Sequence, residues 1–127
     1  NVEARDLAER LYSFAIRHGL DDGAAGPLAA FDVFDRTGNV TAPTKLLWPQ
    51  TEAIKAFLAR IEFLDDADAA ARLDRHLASL FRWFVAPDTG LWFNQLAKDG
   101  APTQTVIPVR VLYHLLLALA EWERVRG

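Results

Sequence analysis

The sequence predicts an all-α protein whose helices are connected by short β-hairpins. Three observations lead to this prediction: four stretches with helical spacing of apolar residues, two long connections with hairpin signals, and a weak internal repeat. The chain of 127 residues has the size of one ordinary domain. Its apolar fraction of 51% supplies enough side chains for a core and is too high for a disordered chain.

Apolar periodicity places three amphipathic helices along the chain. The first is expected over residues 2–18 and the second over residues 48–64, with Pro49 in a first turn, where its missing N–H costs nothing. The third is expected to begin after three aspartates near position 65, because carboxylates favour a helix N-terminus, and to end before Pro87. The apolar stripe of the first helix consists of Leu7, Ala8, Leu11, Phe14 and Ala15.

The fourth helix, over residues 109–125, differs from the others in its apolar pattern. Residues 109–120 are apolar nearly all round, interrupted by Arg110 and His114. A helix that is apolar on every face is usually buried on every face, and we expect this here. It is too short for a membrane span and has two polar groups too many.

Composition and charge exclude several classes of protein. A net charge of −3 argues against a nucleic-acid-binding surface, and the absence of Cys excludes disulfides, thiolate metal sites and a Cys nucleophile. The three His lack metal-ligand spacing and there is no Gly-rich phosphate loop, so we expect no metal and no cofactor. His18 and His76 are assigned to a helix end and a helix flank, without a chemical role. With neither a signal peptide nor a membrane span, we expect a cytoplasmic protein.

The two halves of the chain resemble each other with an offset of 62 residues. Gly38 and Gly100 close two predicted hairpin turns, and Phe31 and Phe93 precede these turns at the same offset. We therefore predict a unit of helix, β-containing loop and helix that occurs twice.

The same offset relates Glu52 in the second helix to His114 in the fourth. If the units are arranged around an axis, equivalent side chains point to the same centre, so this pair forms one candidate site. His is the usual proton shuttle near neutral pH. Arg110 lies one turn before His114, and Trp48 lies one turn before Glu52, where its ring suits the apolar face of a sugar. The alternatives are a buried His satisfied by its neighbours and a core Trp beside a surface or capping acid.

Two stretches resemble the N-acylglucosamine 2-epimerase family, which also includes mannose-type aldose–ketose isomerases and cellobiose 2-epimerases. The run LWPQTEAIKA, at residues 47–56, is similar to a family motif of one or two aromatic residues followed by Gln, a small residue and Glu. The C-terminal part shares Gly90-Leu91-Trp92-Phe93, the Gly100 turn, Pro108, Tyr113-His114, Ala118 and Glu121.

The resemblance implies an (α/α)6 barrel, built from six helical hairpins, of which this chain supplies about four helices. It implies an isomerase or 2-epimerase acting on a monosaccharide or amino sugar, with His acid–base proton transfer at C2 through an enediol or enolate and without a metal. His114 matches the second catalytic His of the family. Glu52 matches a carboxylate that holds the substrate or supports ring opening, and Trp48 matches a wall of the pocket. Arg110 faces the same way as His114 and is implied as a further substrate-binding residue.

One departure from the family concerns its first catalytic His, which lies in a Pro-Gly-His motif that nothing in this chain matches. Residues 1–127 therefore resemble the C-terminal portion of a longer barrel enzyme. We expect little or no isomerase activity from the chain alone. Either a missing N-terminal portion or homo-oligomerisation is expected to cover its inner surface.

The residues leave the substrate and the type of reaction open. Leu112 stands where cellobiose 2-epimerases carry a Trp, which favours a monosaccharide enzyme. Isomerisation and epimerisation begin with the same proton abstraction. The alternative function is a non-catalytic α-helical repeat module that binds a sugar or a protein partner, and an unrelated helical repeat protein is the third possibility.

Overall fold

The computed structural model describes residues 2–127, which form four helices and two small antiparallel sheets. The helices are α1 (Val2–His18), α2 (Leu47–Leu64), α3 (Ala67–Phe84) and α4 (Val109–Arg126). The strands are β1 (Val33–Phe34), β2 (Val40–Ala42), β3 (Lys45–Leu46), β4 (Gln95–Leu96) and β5 (Pro102–Gln104). β1 pairs with β2, and β4 pairs with both β3 and β5. The predicted helical class, with hairpins in the two long connections, is confirmed. None of the helices within residues 2–127 is long and apolar enough to cross a membrane.

The central helix of the structure is α2, which packs against both α3 and α4. Ile54 and Phe57 on α2 are buried in the core between these helices. A tight turn leads from α2 into α3, in which Asp65 adopts a left-handed conformation with φ 52°. The Asp66 carboxylate then accepts a hydrogen bond from the Ala69 amide at 3.0 Å. The aspartates that predicted the start of α3 therefore include its N-cap, which satisfies one of the free N–H groups there.

The predicted repeat is present along most of the chain. α4 corresponds to α2 from the first residue to the last at the 62-residue offset, and β4 and β5 correspond in the same way to β1 and β2. The hairpin turns also match, because the Asp35 amide donates to the Asn39 carbonyl and the Ala97 amide donates to the Ala101 carbonyl. The repeated unit is therefore a helix, a hairpin and a second helix.

The turn glycine Gly100 lies against α3. It has φ 95°, and a Cβ added there would overlap the Trp83 ring. Gly90 also has a left-handed φ, 70°, but a Cβ there would meet nothing within 4 Å. We expect Gly100→Ala to lower the free energy of unfolding by about 1–3 kcal/mol more than Gly90→Ala. Both variants have the strain of a left-handed backbone, but only Gly100→Ala also has the overlap with the Trp83 ring. Urea unfolding measures both variants, and equal losses would show that the Trp83 contact costs nothing.

The expectation that α4 is buried on every face is wrong for the described residues. Val111, Leu115 and Ala118 are buried, whereas Leu116 and Leu117 are each more than half exposed. The reason is that α4 packs against α2 on one side, and none of the helices in residues 2–127 covers the other side. An apolar surface therefore remains along this edge of the structure.

The opposite edge, formed by α1, is uncovered in a similar way. Leu7 and Leu11 of its apolar stripe are more than half exposed. The helix instead packs on the core through Tyr12 and Ile16. Both outer edges of the helical array therefore expose apolar side chains.

A buried lysine connects the two hairpin regions. Lys45 is fully buried, and its Nζ donates to Asp21 Oδ2 at 2.9 Å, to the Pro27 carbonyl at 2.9 Å and to the Lys98 carbonyl at 3.0 Å. The three N–H groups of the ammonium therefore each have an acceptor. Burial alone would raise the pKa of Asp21, but the hydrogen bonds from Lys45 and from the Gly23 amide lower it below its ordinary value.

His76, which the sequence analysis assigned to a helix flank, is buried in the core. Its ring meets the Phe57 ring edge-on, with the centroids 5.8 Å apart. Neither ring nitrogen has a well-formed hydrogen bond within the described part of the chain. Burial lowers the pKa of His76 from 6.5 to about 4, and the nearby Gln50 backbone offsets only part of this effect. The folded protein therefore keeps this imidazole neutral at neutral pH.

Acid is expected to destabilise the fold through His76. The unfolded chain binds a proton at this residue below its ordinary pKa of 6.5, whereas the folded chain does so only near pH 4. The free energy of unfolding should therefore fall by about 3 kcal/mol as the pH drops through this window, and the full contribution is present above it. In His76→Leu we expect this part of the pH dependence to disappear. Parallel urea unfolding of both proteins between pH 7.5 and 4 measures it, and identical slopes would contradict the prediction.

Candidate active site

Neighbouring helices bring Glu52 and His114 together. His114 Nδ1 lies 2.8 Å from Glu52 Oε1, and the two residues are 62 positions apart. A second pair at this separation, Glu62 and Arg124, also connects α2 to α4, at 2.7 Å. Two contacts at the same separation show that α2 and α4 run side by side in the same direction, with equivalent residues opposed. The repeat therefore places the predicted pair in one site.

Glu52 carries its charge at neutral pH. Burial alone would raise its pKa, but the hydrogen bonds from Lys55 and His114 lower it below its ordinary value. An ionised carboxylate only accepts hydrogen bonds, so His114 Nδ1 carries the proton between them. In the neutral ring Nε2 is then the unprotonated nitrogen. The carboxylate therefore fixes the tautomer of His114 that can act as a base through Nε2.

Lys55 belongs to the same cluster, and the sequence analysis did not identify it. Its Nζ lies 2.7 Å from Glu52 Oε1, the oxygen that also contacts His114. The signal that could have found it is its position three residues after Glu52, which places both side chains on one face of α2. The site is therefore a cluster of one carboxylate with two nitrogen donors.

Aromatic rings lie on two sides of His114. The Trp48 ring centroid is 6.1 Å from that of His114, and the Tyr113 ring stacks on His114 at 4.3 Å. Trp48 and Tyr113 are both about half exposed, so part of each aromatic surface is accessible from solvent. Accessible aromatic surface suits the apolar C–H surface of a sugar ring, while polar side chains bind the hydroxyl groups.

The structure does not bring Arg110 into this cluster. Arg110 lies on α4 one turn before His114 and is exposed. It forms no hydrogen bond or ion pair with any other residue in the described range. Its guanidinium group is therefore available to a ligand, and substrate binding by Arg110 stays a prediction.

A cavity of about 370 Å³ lies on the α1 side of α2, next to the cluster. Trp48 and Glu52 line it, together with Phe31, Asp32 and Phe34 from the first hairpin region. Its volume is in the range of small-molecule sites. Within residues 2–127, no group of three or more His, Cys, Asp or Glu is placed to hold a metal ion.

These features define a helical-hairpin repeat protein with a histidine–carboxylate pair between two parallel helices. The chain belongs to the N-acylglucosamine 2-epimerase family, which it matches over residues 3–118. A curated relative, the mannose-6-phosphate isomerase of Rhizobium meliloti strain 1021, is 33% identical over 127 residues. That alignment covers 97% of this chain and 32% of the relative, so the chain spans about a third of the relative's length.

Solved structures are similar to this chain in fold. A crystal structure of a D-mannose isomerase matches with a TM-score of 0.79 at 19% identity, over 91% of this chain and 29% of that one. The cellobiose 2-epimerase of Spirochaeta thermophila matches with a TM-score of 0.87 at 16% identity, over 99% of this chain and 33% of that one. These neighbours are (α/α)6 barrels, and the chain has the fold of about a third of such a barrel.

Proposed function

We propose that this chain is the C-terminal portion of a sugar isomerase or 2-epimerase in which His114 transfers the proton at C2. The observation that supports this most directly is the 2.8 Å contact between His114 Nδ1 and Glu52 Oε1. It joins an acid–base residue to the carboxylate that orients it, between two helices of the repeat. Family membership and the curated relative support the class of reaction.

The proposed chemistry begins with a proton transfer at the substrate. His114 Nε2 removes the proton from C2 of an open-chain aldose, and the electrons of the C–H bond form an enediol or enolate with the neighbouring carbonyl group. Glu52 stabilises the imidazolium ion that results, since an ionised carboxylate favours the charged form of its partner. Return of the proton to C1, with transfer of the O2 hydroxyl proton to O1, gives a ketose. Donation of a proton to the other face of C2 by a second acid–base group gives the epimer.

We assign substrate binding to one half-exposed aromatic residue beside the pair and to one exposed arginine on α4. Trp48 would pack against the sugar ring, and Arg110 would donate hydrogen bonds to hydroxyl groups. We propose a monosaccharide or amino sugar as the substrate, consistent with Leu112 at the position where disaccharide epimerases carry a Trp. The enzyme would use no metal in this scheme, because His114 removes the proton and Glu52 stabilises the imidazolium ion that forms.

The second acid–base group of the reaction is proposed to lie outside these residues. Epimerisation requires proton donation from the opposite face of the substrate, and the chain spans about a third of its curated relative. The uncovered apolar edges of α1 and α4 support a barrel completed by further helices, either from an N-terminal portion or from other copies. We therefore expect the isolated chain to be inactive.

Proton NMR in D2O tests the proposal. The chain and the complete translation product of its gene are each incubated with mannose, fructose, glucose and N-acetylmannosamine. Loss of the C2 proton signal of one sugar, or formation of its isomer with deuterium incorporated, would establish enolisation and identify the substrate class. A folded complete product that exchanges no proton with any of these sugars would favour the non-catalytic binding module instead. Efficient turnover by the monomeric chain would refute its expected inactivity.

A further inference from the structure

Lys55 and His114 contact the same carboxylate oxygen from two different helices. Lys55 Nζ is 2.7 Å and His114 Nδ1 is 2.8 Å from Glu52 Oε1. We propose that Lys55 is a positioning residue that sets, through Glu52, the pH range in which His114 works as a base. This inference rests on the proposed function, in which His114 is the acid–base residue.

The negative charge of Glu52 is shared between two donors, Lys55 and His114. A carboxylate next to an imidazole favours the imidazolium form, which cannot accept a proton. The Lys55 ammonium group on the same oxygen compensates part of the Glu52 charge, so Glu52 orients the ring without holding it in the protonated form. The side chains of Lys55 and His114 are only 29% and 25% exposed, so solvent screens this interaction less than on an open surface.

Other charged and titratable groups near the cluster do not replace Lys55. Asp32 lines the cavity next to Glu52, but its oxygens already accept hydrogen bonds from Thr44, Gln95 and the Leu46 amide. Arg110, on the same helix as His114, makes no ion pair within residues 2–127. The Tyr113 ring stacks on His114 but has no cationic group to offer Glu52. Lys55 is therefore the cation in direct contact with Glu52 in the described part of the chain.

The competing explanation is an ordinary ion pair between residues three positions apart on a helix. Such a pair stabilises a helix by only a few tenths of a kcal/mol. In this explanation solvent screens the Lys55 charge, so its removal leaves His114 unaffected. The two explanations differ in one observable. Only the positioning role predicts that removal of the Lys55 charge changes how His114 titrates.

The test combines Lys55→Met with an NMR titration of the three His rings in this chain and with the pH profile of C2-proton exchange by the complete translation product. Without the lysine charge, Glu52 acts on the imidazole alone and favours its protonated form. We expect the titration midpoint of the His114 ring, and the acidic limb of kcat/KM, to move up by about 0.5–1 pH unit. Lys55→Arg should restore both values. Lys98→Met makes the same change of charge at an exposed position and should leave both values unchanged.

The two readouts separate this inference from the proposed function. A His114 midpoint in Lys55→Met that equals the wild-type value overturns the role of Lys55, whether or not the enzyme is active. A shifted midpoint, together with a folded complete product that exchanges no sugar proton, supports the electrostatic role and refutes the proposed function instead. A shift of equal size in Lys98→Met would also overturn the proposal, because it would show a general effect of charge.

Discussion

Replacement of His114 by Gln is expected to reduce C2-proton exchange by about 100- to 10,000-fold in the protein form that is active. Gln keeps a polar side chain of similar size next to Glu52 but cannot accept and return a proton near neutral pH. Since the loss lies in the chemical step, we expect kcat to fall far more than KM rises. Exchange into D2O measures the chemical step directly, and activity within a factor of three of the wild type would remove His114 from the mechanism.

The α2–α4 interface provides a matched control for this site. Glu52→Gln should also lower the rate strongly, because the amide can no longer stabilise the imidazolium ion. Glu62→Gln makes the same substitution further toward the C-terminus of α2, in the same interface, where the partner is Arg124. Glu62 is remote from His114 along α2, so this variant should keep the wild-type rate. Equal losses in both variants would indicate damage to the helix interface and not to the site.

The largest expected effect on stability belongs to Lys45→Met. The substitution preserves much of the apolar stem but leaves Asp21 and the carbonyl groups of Pro27 and Lys98 without their shared donor. Removal of one partner from a buried ion pair costs about 3–5 kcal/mol, a large part of the total stability of an ordinary domain. We therefore expect a much lower midpoint in urea unfolding and, since these groups connect the loops, weaker hydrogen-exchange protection in both hairpin regions.

Lys98→Met is the control for the buried lysine. It removes the same charge from an exposed side chain, while the Lys98 carbonyl that accepts from Lys45 is unchanged. Substitutions of this kind at the surface usually change stability by less than about 0.5 kcal/mol. If Lys45→Met were as stable as Lys98→Met, the buried ammonium group would contribute nothing net, as happens when desolvation cancels the Coulombic gain.

Local patterns predicted most of the secondary structure, because apolar spacing and turn residues act within a few positions of each other. The helix bounds agree with the structure to within one or two residues, and the Gly38 and Gly100 turns lie in hairpins as expected. The contact between Glu52 and His114 could be predicted from the sequence for a different reason. In a repeat protein, residues separated by one repeat length occupy equivalent positions in space. The 62-residue offset therefore related Glu52 to His114.

Features that depend on long-range packing could not be predicted from local sequence patterns. Lys45 is a residue type that is usually exposed, and nothing near it in sequence indicates that three distant acceptors surround it. The exposure of α4 could not be inferred either. A helix that is apolar all round favours burial on every face, but this pattern does not show which neighbouring elements are present to bury it. His76 could have been identified from its place beside Leu73 and Leu77 on the apolar stripe of α3.

The parallel arrangement of α2 and α4 has an electrostatic consequence. Backbone dipoles add along each helix and place roughly half a positive charge at each N-terminus. Here both N-termini are at the same end, and neither Leu46 nor Pro108, the residues before them, provides a side-chain cap. Side chains on a helix lean toward its N-terminus, so Glu52 and His114 point to this end. The two backbones therefore each contribute a positive potential at this end, which favours a negatively charged group near Glu52 and His114.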